Sequence, residues 1–255
     1  MEPSSSQSSG SKVAEALVQI SAELRDKLDE LRFSPPTEYV YNPLHYAWNA
    51  HTEYLKRYAT AEKRVVFLGM NPGPWGMAQT GIPFGEVSFA RDWIQSPTPA
   101  GRPGCEHPKR PVLGFECGRS EPSGKRLWGL MQQRFGSAEQ FFAEHFVLNY
   151  CPLLFLEASG RNRTPDKLPK TETLPLSSAC DNALGAMLGV LRPQYLVGIG
   201  RYAEAALQRV VSARPDLLGL EARISGILHP SPANPRANAG WDAAAVAGLK
   251  QAGVW

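Results

Sequence analysis

The chain has 255 residues, of which 43% are hydrophobic and 20% are charged, a composition typical of one ordinary globular domain or at most two small ones. Its formal net charge of +3 permits a polyanionic partner but does not require one. No apolar run approaches the length of a membrane span, and the N-terminus lacks the apolar core of a secretion signal, so we expect an intracellular protein with no membrane partner.

The N-terminal sequence predicts a disordered tail followed by a helix. Residues 1–12 are rich in serine and are expected to be disordered, which leaves residues 13–255 as a single folded domain. Apolar residues then recur at the spacing of one helix face: Val13, Leu17, Ile20, Leu24, Leu28 and Leu31. Pro35 and Pro36 end this predicted helix.

A second helical segment precedes the first strand. The stretch Tyr41–Ala59 begins with an Asn-Pro turn and continues as a helix, and we expect its His45 and His51 at the surface or at a helix cap. The β-branched run Arg64–Leu68 then predicts a short buried strand.

The loop after this strand, Gly69–Met77, has the sequence GMNPGPWGM. Its prolines and glycines exclude both a continued strand and a regular helix, and they favour a rigid backbone that a ligand can approach closely. Asn71 stands at the head of the loop with a side chain that both donates and accepts hydrogen bonds. In an α/β fold such a loop lies at the carboxyl end of a strand, where ligands bind, although a simple turn is the alternative.

Two further segments each carry a functional and a structural interpretation. Phe84 follows Pro83 and precedes Gly85, where an aromatic ring either stacks on a planar ligand or anchors the loop in the core. Residues 95–125 form a long stretch rich in proline and glycine, which is typical of functional or disordered loops. Within this stretch, Lys109 and Arg110 either contact phosphates or belong to a solvated basic turn.

The second half of the chain alternates helices with strands. The predicted helices begin at Ser123, cover Ala138–His145, Leu176–Leu191 and Arg201–Val211, and end with a last helix from Trp241. The predicted strands are Phe146–Asn149, Gln194–Gly200 and Ala222–Leu228. The stretch Asn162–Pro175 is predicted to be a loop. This alternation predicts an α/β fold with a mostly parallel sheet and helices on both faces.

Polar residues stand at the ends of two of these strands. Asn149 ends one strand, and a buried amide at that point needs a partner, which is either the edge of a ligand or a neighbouring backbone group. Another strand runs directly into the loop His229–Trp241, with the sequence HPSPANPRANAGW. Two rigid polar loops at strand ends are hard to explain as two unrelated turns.

The four cysteines give little support to a metal site. None of Cys105, Cys117, Cys151 and Cys180 falls in a CxxC pair, as zinc and iron–sulfur sites usually require. His107 lies near two of them, which leaves a metal site open, but reduced thiols are the expectation.

The two loops carry a resemblance to a known family. GMNPGPWGMAQTGIPFGEVS and HPSPANPRANAGW resemble the signature loops of the uracil-DNA glycosylase superfamily, and specifically of its single-strand-selective monofunctional uracil-DNA glycosylases. The resemblance extends through YNPLHYAW, EHPKRPVLGFEC, NYCPLLF and SGRNRTP, so it covers most of the chain from Tyr41 to Trp241. It implies a single α/β domain with a central four-stranded parallel sheet flanked by helices, and no metal or other cofactor.

The resemblance also implies an activity. A monofunctional DNA glycosylase flips uracil out of DNA and excises it by hydrolysis, which leaves an abasic site for base excision repair. The family also accepts 5-hydroxymethyluracil, so the expected partners are single- and double-stranded DNA containing uracil or oxidised pyrimidines. We expect a monomer in the cytoplasm or nucleoid of a bacterium, or in the nucleus of a eukaryote.

The family's site residues carry over to matching positions of this sequence. Asn71 matches the residue that positions the attacking water, and His229 matches the residue that stabilises the leaving base as a neutral imidazole donating to O2. Asn149 matches the residue that reads the uracil edge, and Phe84 matches the residue that stacks on the base. The pocket-wall and backbone-donor positions of the first loop are Met70, Gly73 and Met77.

The loop after His229 resembles the family's wedge that enters DNA. Its expected DNA-contacting residues, together with the basic pair of the long loop, are Pro230, Ser231, Pro232, Ala233, Asn234, Arg236, Lys109 and Arg110. Vertebrate members carry arginine at the position of Ala233 and lysine at that of Ala239, so the wedge here is expected to be weaker, or Arg236 takes that role. Trp75 stands where many members have phenylalanine.

Several rival functions remain at this stage. A mismatch-type glycosylase, acting on uracil or thymine opposite guanine, shares the Asn-Pro-Gly loop. A non-catalytic protein that binds damaged DNA is a second alternative, although the presence of both Asn71 and His229 disfavours it. A nucleotide-dependent transferase is disfavoured because the chain has neither GxGxxG nor GxxxxGK[ST].

Overall fold

Strands and helices alternate along most of the chain. The computed structural model describes residues 6–214 and 222–255. The first half contains α1 (Ser6–Asp29), β1 (Tyr39–Tyr41), α2 (Pro43–Tyr46), α3 (Trp48–Tyr58), β2 (Val65–Gly69), α4 (Met77–Thr80), a π-helical turn (Phe89–Trp93), α5 (Pro122–Phe135) and α6 (Ala138–Glu144). The second half contains β3 (His145–Asn149), β4 (Leu154–Leu156), β5 (Asn162–Arg163), α7 (Lys170–Leu191), β6 (Tyr195–Ile199), α8 (Arg201–Ala213), β7 (Arg223–Ile227), α9 (Pro235–Asn238) and α10 (Trp241–Gln251).

The central sheet has four parallel strands, as the family resemblance implied, and their order is β3-β2-β6-β7. Every residue of β2 is buried, because this strand is flanked by β3 and β6 and its apolar side chains face the core on both sides. Gly69 lies opposite Asn149 in the register of β2 with β3. The carboxyl ends of the strands therefore meet at one edge, and the loops that follow them gather there.

One hydrophobic core joins this sheet to the helices around it. Buried side chains from α1, α3, α5, α6, α7 and α8 pack together with those of β2, β3 and β6. The predicted single domain with a parallel sheet and flanking helices is confirmed.

A second, smaller sheet was not predicted. Strands β1, β4 and β5 pair antiparallel in the order β1-β4-β5, with Tyr39 opposite Leu156 and Phe155 opposite Arg163. The three strands have only two or three residues each, too few for an alternating pattern to stand out in the sequence.

The loop predicted over Asn162–Pro175 is wrong in its second half. Helix α7 begins at Lys170 and includes Pro175, which costs one backbone hydrogen bond. Tertiary contacts offset this cost: Leu176 is buried, and the carboxylate of Glu172 accepts a hydrogen bond from the backbone N–H of Ser34 at 2.9 Å.

Two predictions near the N-terminus are also corrected. Helix α1 begins at Ser6, so residues 6–12, expected to be disordered, extend it, because a helix already nucleated adds one hydrogen bond for each further residue. Residues 1–5 of the predicted tail lie outside the described residues. His51, expected at the surface or at a helix cap, is buried with Nδ1 3.0 Å from the carbonyl of Gly81, and burial lowers its pKa to about 4.

Helix α7 modifies the expectation that no segment is long and apolar enough for a membrane span. Its 22 residues have a mean hydropathy of 1.2 over an 18-residue window, which passes a test of length and composition. Of that window, 44% is buried inside the protein, and α7 packs against α1 and α8. The core helix of a globular domain passes the same test, so this is weak evidence for a membrane span.

The cysteines are distributed without a metal cluster among the described residues. Cys105 is exposed, whereas Cys117, Cys151 and Cys180 are buried as free thiols. Within residues 6–214 and 222–255, no group of three or more His, Cys, Asp or Glu side chains is arranged to hold a metal ion.

We predict that Gly198→Ala destabilises the fold strongly. An added Cβ at Gly198, on β6, would lie 2.4 Å from the backbone of Glu204 in α8, and backbone atoms cannot move aside as a side chain can. The expected loss is on the order of 3 kcal/mol, or about 6–12 °C in Tm, measured by thermal unfolding. Gly104→Ala is the matched control, because its Cβ would meet no atom within 4 Å. Equal Tm values for the two variants would contradict the packing of α8 on β6.

Candidate active site

A cavity of about 430 Å³ opens at the carboxyl edge of the central sheet. The predicted site residues that line it are Met70, Asn71, Gly73, Met77, Phe84, Asn149, His229, Ser231 and Pro232. These residues come from four separate segments, and the parallel register of β2, β3 and β7 brings the segments together.

The loop after β2 is held to the segment after β3 by backbone hydrogen bonds. The carbonyl of Met70 accepts from the N–H of Cys151 at 2.9 Å, which continues the strand pairing beyond Asn149. The side chain of Asn71 donates from Nδ2 to the carbonyl of Leu153 at 3.1 Å. No described residue donates to Oδ1 of Asn71, so this oxygen is free to accept a hydrogen bond in the cavity.

Asn149 faces the cavity with one half of its amide unpaired. Its Nδ2 lies 3.2 Å from Sδ of Met77, a weak acceptor, and its Oδ1 is buried with no partner among the described residues. An unpaired buried acceptor costs roughly 1–3 kcal/mol, which a ligand with an N–H group at this point recovers. The packing requires Gly69, because a Cβ there would lie 2.3 Å from Oδ1 of Asn149 and 2.5 Å from the ring of Phe84.

Phe84 is fixed in a left-handed backbone conformation with φ of 54°. Its carbonyl accepts hydrogen bonds from Nε1 of Trp128 at 3.0 Å and from the N–H of Glu86 at 2.6 Å. Helix α5 approaches this carbonyl so closely that a Cβ at Gly124 would lie 2.0 Å from it. The ring is 8% exposed, and its centroid lies 6.2 Å from that of His229, so it forms one wall of the cavity.

The imidazole of His229 accepts one hydrogen bond from its own loop, and its other nitrogen has no partner among the described residues. The N–H of Ser231 donates to Nδ1 at 3.1 Å, which makes Nδ1 an acceptor and places the proton on Nε2. Burial lowers the pKa of His229 below its ordinary value of 6.5. Gly200, with φ of 91°, allows the turn after β6 to approach His229 closely, because a Cβ added at Gly200 would lie 3.1 Å from Cβ of His229.

The rest of the His229–Trp241 loop is held by Arg126 of α5. This arginine donates to the carbonyl of Pro230 at 2.7 Å and to Oδ1 of Asn238 at 3.0 Å. Asn238 in turn donates to the carbonyl of Pro232 at 2.9 Å, so both ends of the loop are tied to one helix.

Six predicted DNA-contacting residues lie outside the cavity. Pro230 is buried, whereas Ala233 and Arg236 are exposed beyond the cavity, and Asn234 caps α9 by accepting from the N–H of Arg236 at 3.1 Å. Lys109 is exposed on the long loop. Arg110 is half-buried, and its guanidinium lies over the indole of Trp75, 5.3 Å from the ring centroid.

The cavity also contains residues that the sequence analysis did not single out. They are Pro72, Pro74, Gly76, Glu121, Pro122, Ser123, Asn162 and Thr164. The carboxylate of Glu121 caps α5 by accepting from the backbone N–H groups of Ser123 and Gly124, and burial raises its pKa. A polar residue followed by Pro at the start of a helix is a recognisable cap signal, but nothing local indicated that this cap would face the cavity.

The combined arrangement suits a planar heterocycle. Asn149 offers a donor and an acceptor side by side, Phe84 offers an aromatic face, and Nε2–H of His229 offers a second donor. Oδ1 of Asn71 is available to hold a water. Among the described residues that line the cavity, none carries a positive charge. An anion formed there therefore depends on hydrogen bonds for its stabilisation.

Comparison with known proteins identifies the family. The model of the uracil DNA glycosylase superfamily matches residues 55–248. Single-strand selective monofunctional uracil DNA glycosylase of Bos taurus is 47% identical over 254 residues, which cover all of this chain and 91% of the relative. The Mus musculus protein is 46% identical over 242 residues, covering 95% of this chain and 85% of the relative.

A solved structure supports the fold. The crystal structure of wild-type Pedobacter heparinus SMUG2 matches with a TM-score of 0.64 at 19% identity, covering 94% of this chain and 96% of that one. With identity and coverage this high among the curated relatives, the chain belongs to the single-strand selective monofunctional uracil DNA glycosylases of the uracil DNA glycosylase superfamily.

Proposed function

We propose that the cavity takes a uracil nucleotide flipped out of DNA and that Asn71 and His229 hydrolyse its N-glycosyl bond. The chain is a monofunctional uracil-DNA glycosylase, which acts in DNA repair as a hydrolase and has no lyase activity. The observation that best supports these residue roles is the neutral imidazole of His229, held by the N–H of Ser231 with its Nε2 proton free.

Asn149 is proposed to select uracil. The uracil edge presents an acceptor at O4 beside a donor at N3–H, and the amide of Asn149 presents the complementary donor and acceptor. Its unpaired Oδ1 gains a partner when uracil binds. Cytosine reverses this pattern and leaves buried polar groups unpaired, which excludes it by a large factor.

His229 is proposed to stabilise the departing base. As the glycosidic bond lengthens, negative charge accumulates on uracil, and Nε2–H of His229 donates to the developing oxyanion at O2. Because the donor is buried, its hydrogen bond to O2 becomes stronger as negative charge grows on the base. The stabilisation is therefore larger in the transition state than in the bound substrate.

Asn71 is proposed to hold the attacking water. With its Nδ2 donating to Leu153, its Oδ1 accepts from a water that faces the sugar. An amide is a poor general base, but the sugar is already cationic when bond cleavage leads, so orientation of the water is sufficient. The water oxygen bonds to the sugar carbon and the water loses one proton to solvent, while the uracil anion takes up one proton from solvent, so the products are an abasic site and neutral uracil.

Oxidised pyrimidines such as 5-hydroxymethyluracil are proposed as further substrates. Glu121 and Ser123 give part of the wall polar character, and a Cβ at Gly73 would have no neighbour closer than 3.9 Å. A polar wall with free space accommodates a hydroxymethyl group. The methyl group of thymine would desolvate the polar side chains of that wall without forming a hydrogen bond to them.

The DNA contacts are proposed to lie around the cavity mouth. Ser231 and Pro232 line the mouth, and the exposed Ala233 and Arg236 extend the loop as a wedge into a duplex. The small Ala233 leaves less side chain to fill the vacated space, so we propose that single-stranded DNA is the better substrate. The remaining expected contacts are Pro230, Asn234, Lys109 and Arg110. We further propose that the protein acts as a monomer inside the cell, without a metal or cofactor.

Substitution of the two central residues tests these roles. Asn71→Ala and His229→Leu should each lower the single-turnover rate of uracil release from a single-stranded oligonucleotide by about 10²–10³-fold, because each removes a group that acts in the transition state. Release is scored as alkali-dependent strand breaks in the presence of a chelator.

Asn182→Ala is the control, since Asn182 is exposed on α7 and does not line the cavity. If wild type releases no uracil from single-stranded or duplex DNA, the catalytic proposal fails. If wild type is active and both variants match the control, the roles of Asn71 and His229 fail while the activity stands.

The pH dependence tests the protonation state of His229. Its pKa is lowered from 6.5, so the neutral form persists into mildly acidic solution, and the rate should fall only as pH drops through that lowered value. Protonation of Nδ1 breaks the hydrogen bond from Ser231 and displaces the imidazole. A pH–rate profile at saturating enzyme, with circular dichroism at each pH to detect unfolding, should show an acid limb below pH 6.5. A rate that rises as pH falls through 6 contradicts the neutral imidazole.

A further inference from the structure

Trp75 is the residue of the Gly69–Met77 loop whose surroundings the catalytic proposal leaves unexplained. Its neighbours Pro74 and Gly76 line the cavity, whereas Trp75 does not and lies half-buried on the outer side of the loop. Two guanidinium groups share its indole: Cζ of Arg110 lies 5.3 Å from the ring centroid and Cζ of Arg119 lies 4.9 Å from it. We call Trp75, Arg110 and Arg119 the Trp75 cluster.

The two arginines of this cluster form no ion pair with a carboxylate within the described part of the chain. Arg110 donates from Nη1 to the carbonyl of Lys109 at 2.8 Å, and its Nε is buried with no partner. Two like charges near one ring repel each other, and an anion bound to either guanidinium would lower that electrostatic cost.

The cluster lies at the rim of the active site. Arg119 is followed along the chain by Ser120, which lines an adjoining surface groove with Lys125 and Arg126, and then by Glu121, which lines the catalytic cavity. An anion at Arg119 is therefore next to the mouth through which the flipped nucleotide enters.

We propose that the Trp75 cluster binds a backbone phosphate of a nucleotide that flanks the flipped uracil. The inference rests on the proposed function, since it deepens the description of the same DNA-binding site. Arginine forms two parallel hydrogen bonds to phosphate, and a guanidinium that already lies on an indole loses less rotamer freedom when it does so.

A phosphate fits this site better than a stacked base. Two guanidinium groups already lie over the indole at cation–π distance, so less of its surface is left for a nucleobase than an unoccupied tryptophan offers. Trp75 thus acts as a support that orients Arg110 and Arg119, and its loss should release both arginines without any change in charge.

The test measures how binding depends on salt. The probe is a single-stranded oligonucleotide with one 2′-fluoro-2′-deoxyuridine, which resists cleavage, and its affinity is measured by fluorescence anisotropy over a range of salt concentrations. Removing one arginine–phosphate interaction with a single strand lowers the slope of log K against log[salt] by about 0.7. We expect Arg119→Gln to lower the slope by about that amount and to weaken binding on the order of tenfold at low salt.

Two variants of Trp75 distinguish its role in orienting Arg110 and Arg119 from the effect of the charge of these arginines. Trp75→Leu should lower the salt slope although it removes no charge, whereas Trp75→Phe, which keeps an aromatic face, should retain most of it. The first-order rate of uracil release at saturating Arg119→Gln should equal that of wild type, because Arg119 is proposed to act in binding only.

Arg134→Gln is the matched control. Arg134 is exposed like Arg119 and lies over an indole, 4.2 Å from the ring centroid of Trp255, but it is near the opposite end of α5 from the cavity. Each substitution removes one positive charge and one cation–π contact with an indole, at a different position relative to the site, and Arg134 also lies 5.8 Å from the ring centroid of Phe135.

Oligonucleotides with the uracil analogue at the 5′ or the 3′ end identify the phosphate. The effect of Arg119→Gln should disappear on one of the two, because that probe lacks the phosphate on the relevant side. Equal slopes for Arg119→Gln, Arg134→Gln and wild type would overturn the proposal, as would an effect that persists on both terminal probes. Wild type that binds DNA but releases no uracil would instead overturn the proposed function.

Discussion

The packing of α5 against three separate loops is the constraint on which the site depends. Through Trp128 this helix holds the carbonyl of Phe84, through Arg126 it holds the loop of His229, and at its N-terminus Glu121 lies against the loop of Asn71. The sheet fixes the positions of the strand ends. It does not by itself fix the loops that follow them to the accuracy that hydrogen bonds in the site require. A single rigid helix removes the remaining freedom of all three loops at once.

The site is prepared for its ligand at a cost in folded stability. Oδ1 of Asn149 is buried without a partner, burial lowers the pKa of His229 and so disfavours its protonated form in acidic solution, and Phe84 has a positive φ. Each of these would be less costly in a collapsed or solvated loop, and each becomes favourable or useful only when a base occupies the cavity. The tight core of aromatic and aliphatic residues around β2 tolerates these costs because it supplies most of the stability.

The sequence predicted the central sheet to within a residue or two at each strand, because buried parallel strands are short β-branched runs between helices. It did not predict the small antiparallel sheet, the start of α7 before Pro175 or the burial of His51, since each depends on contacts between segments far apart in the chain. The same holds within the cavity. Loop composition and family resemblance predicted Asn71 and His229 as site residues, and both line the cavity, whereas Glu121 carries a local cap signal whose direction only tertiary structure determines.

The hydrogen bond from Ser231 to His229 has a consequence for how this enzyme can evolve. The loop that we propose to contact DNA also sets the tautomer of His229, the proposed leaving-group donor, so the length of the loop and its chemistry are not independent traits. An insertion that lengthens the loop, for example beside Ala233, also pulls on the backbone two residues from Ser231, which donates to the imidazole. Variation in strand preference is therefore expected to accumulate in exposed side chains of the loop, while its backbone path stays fixed.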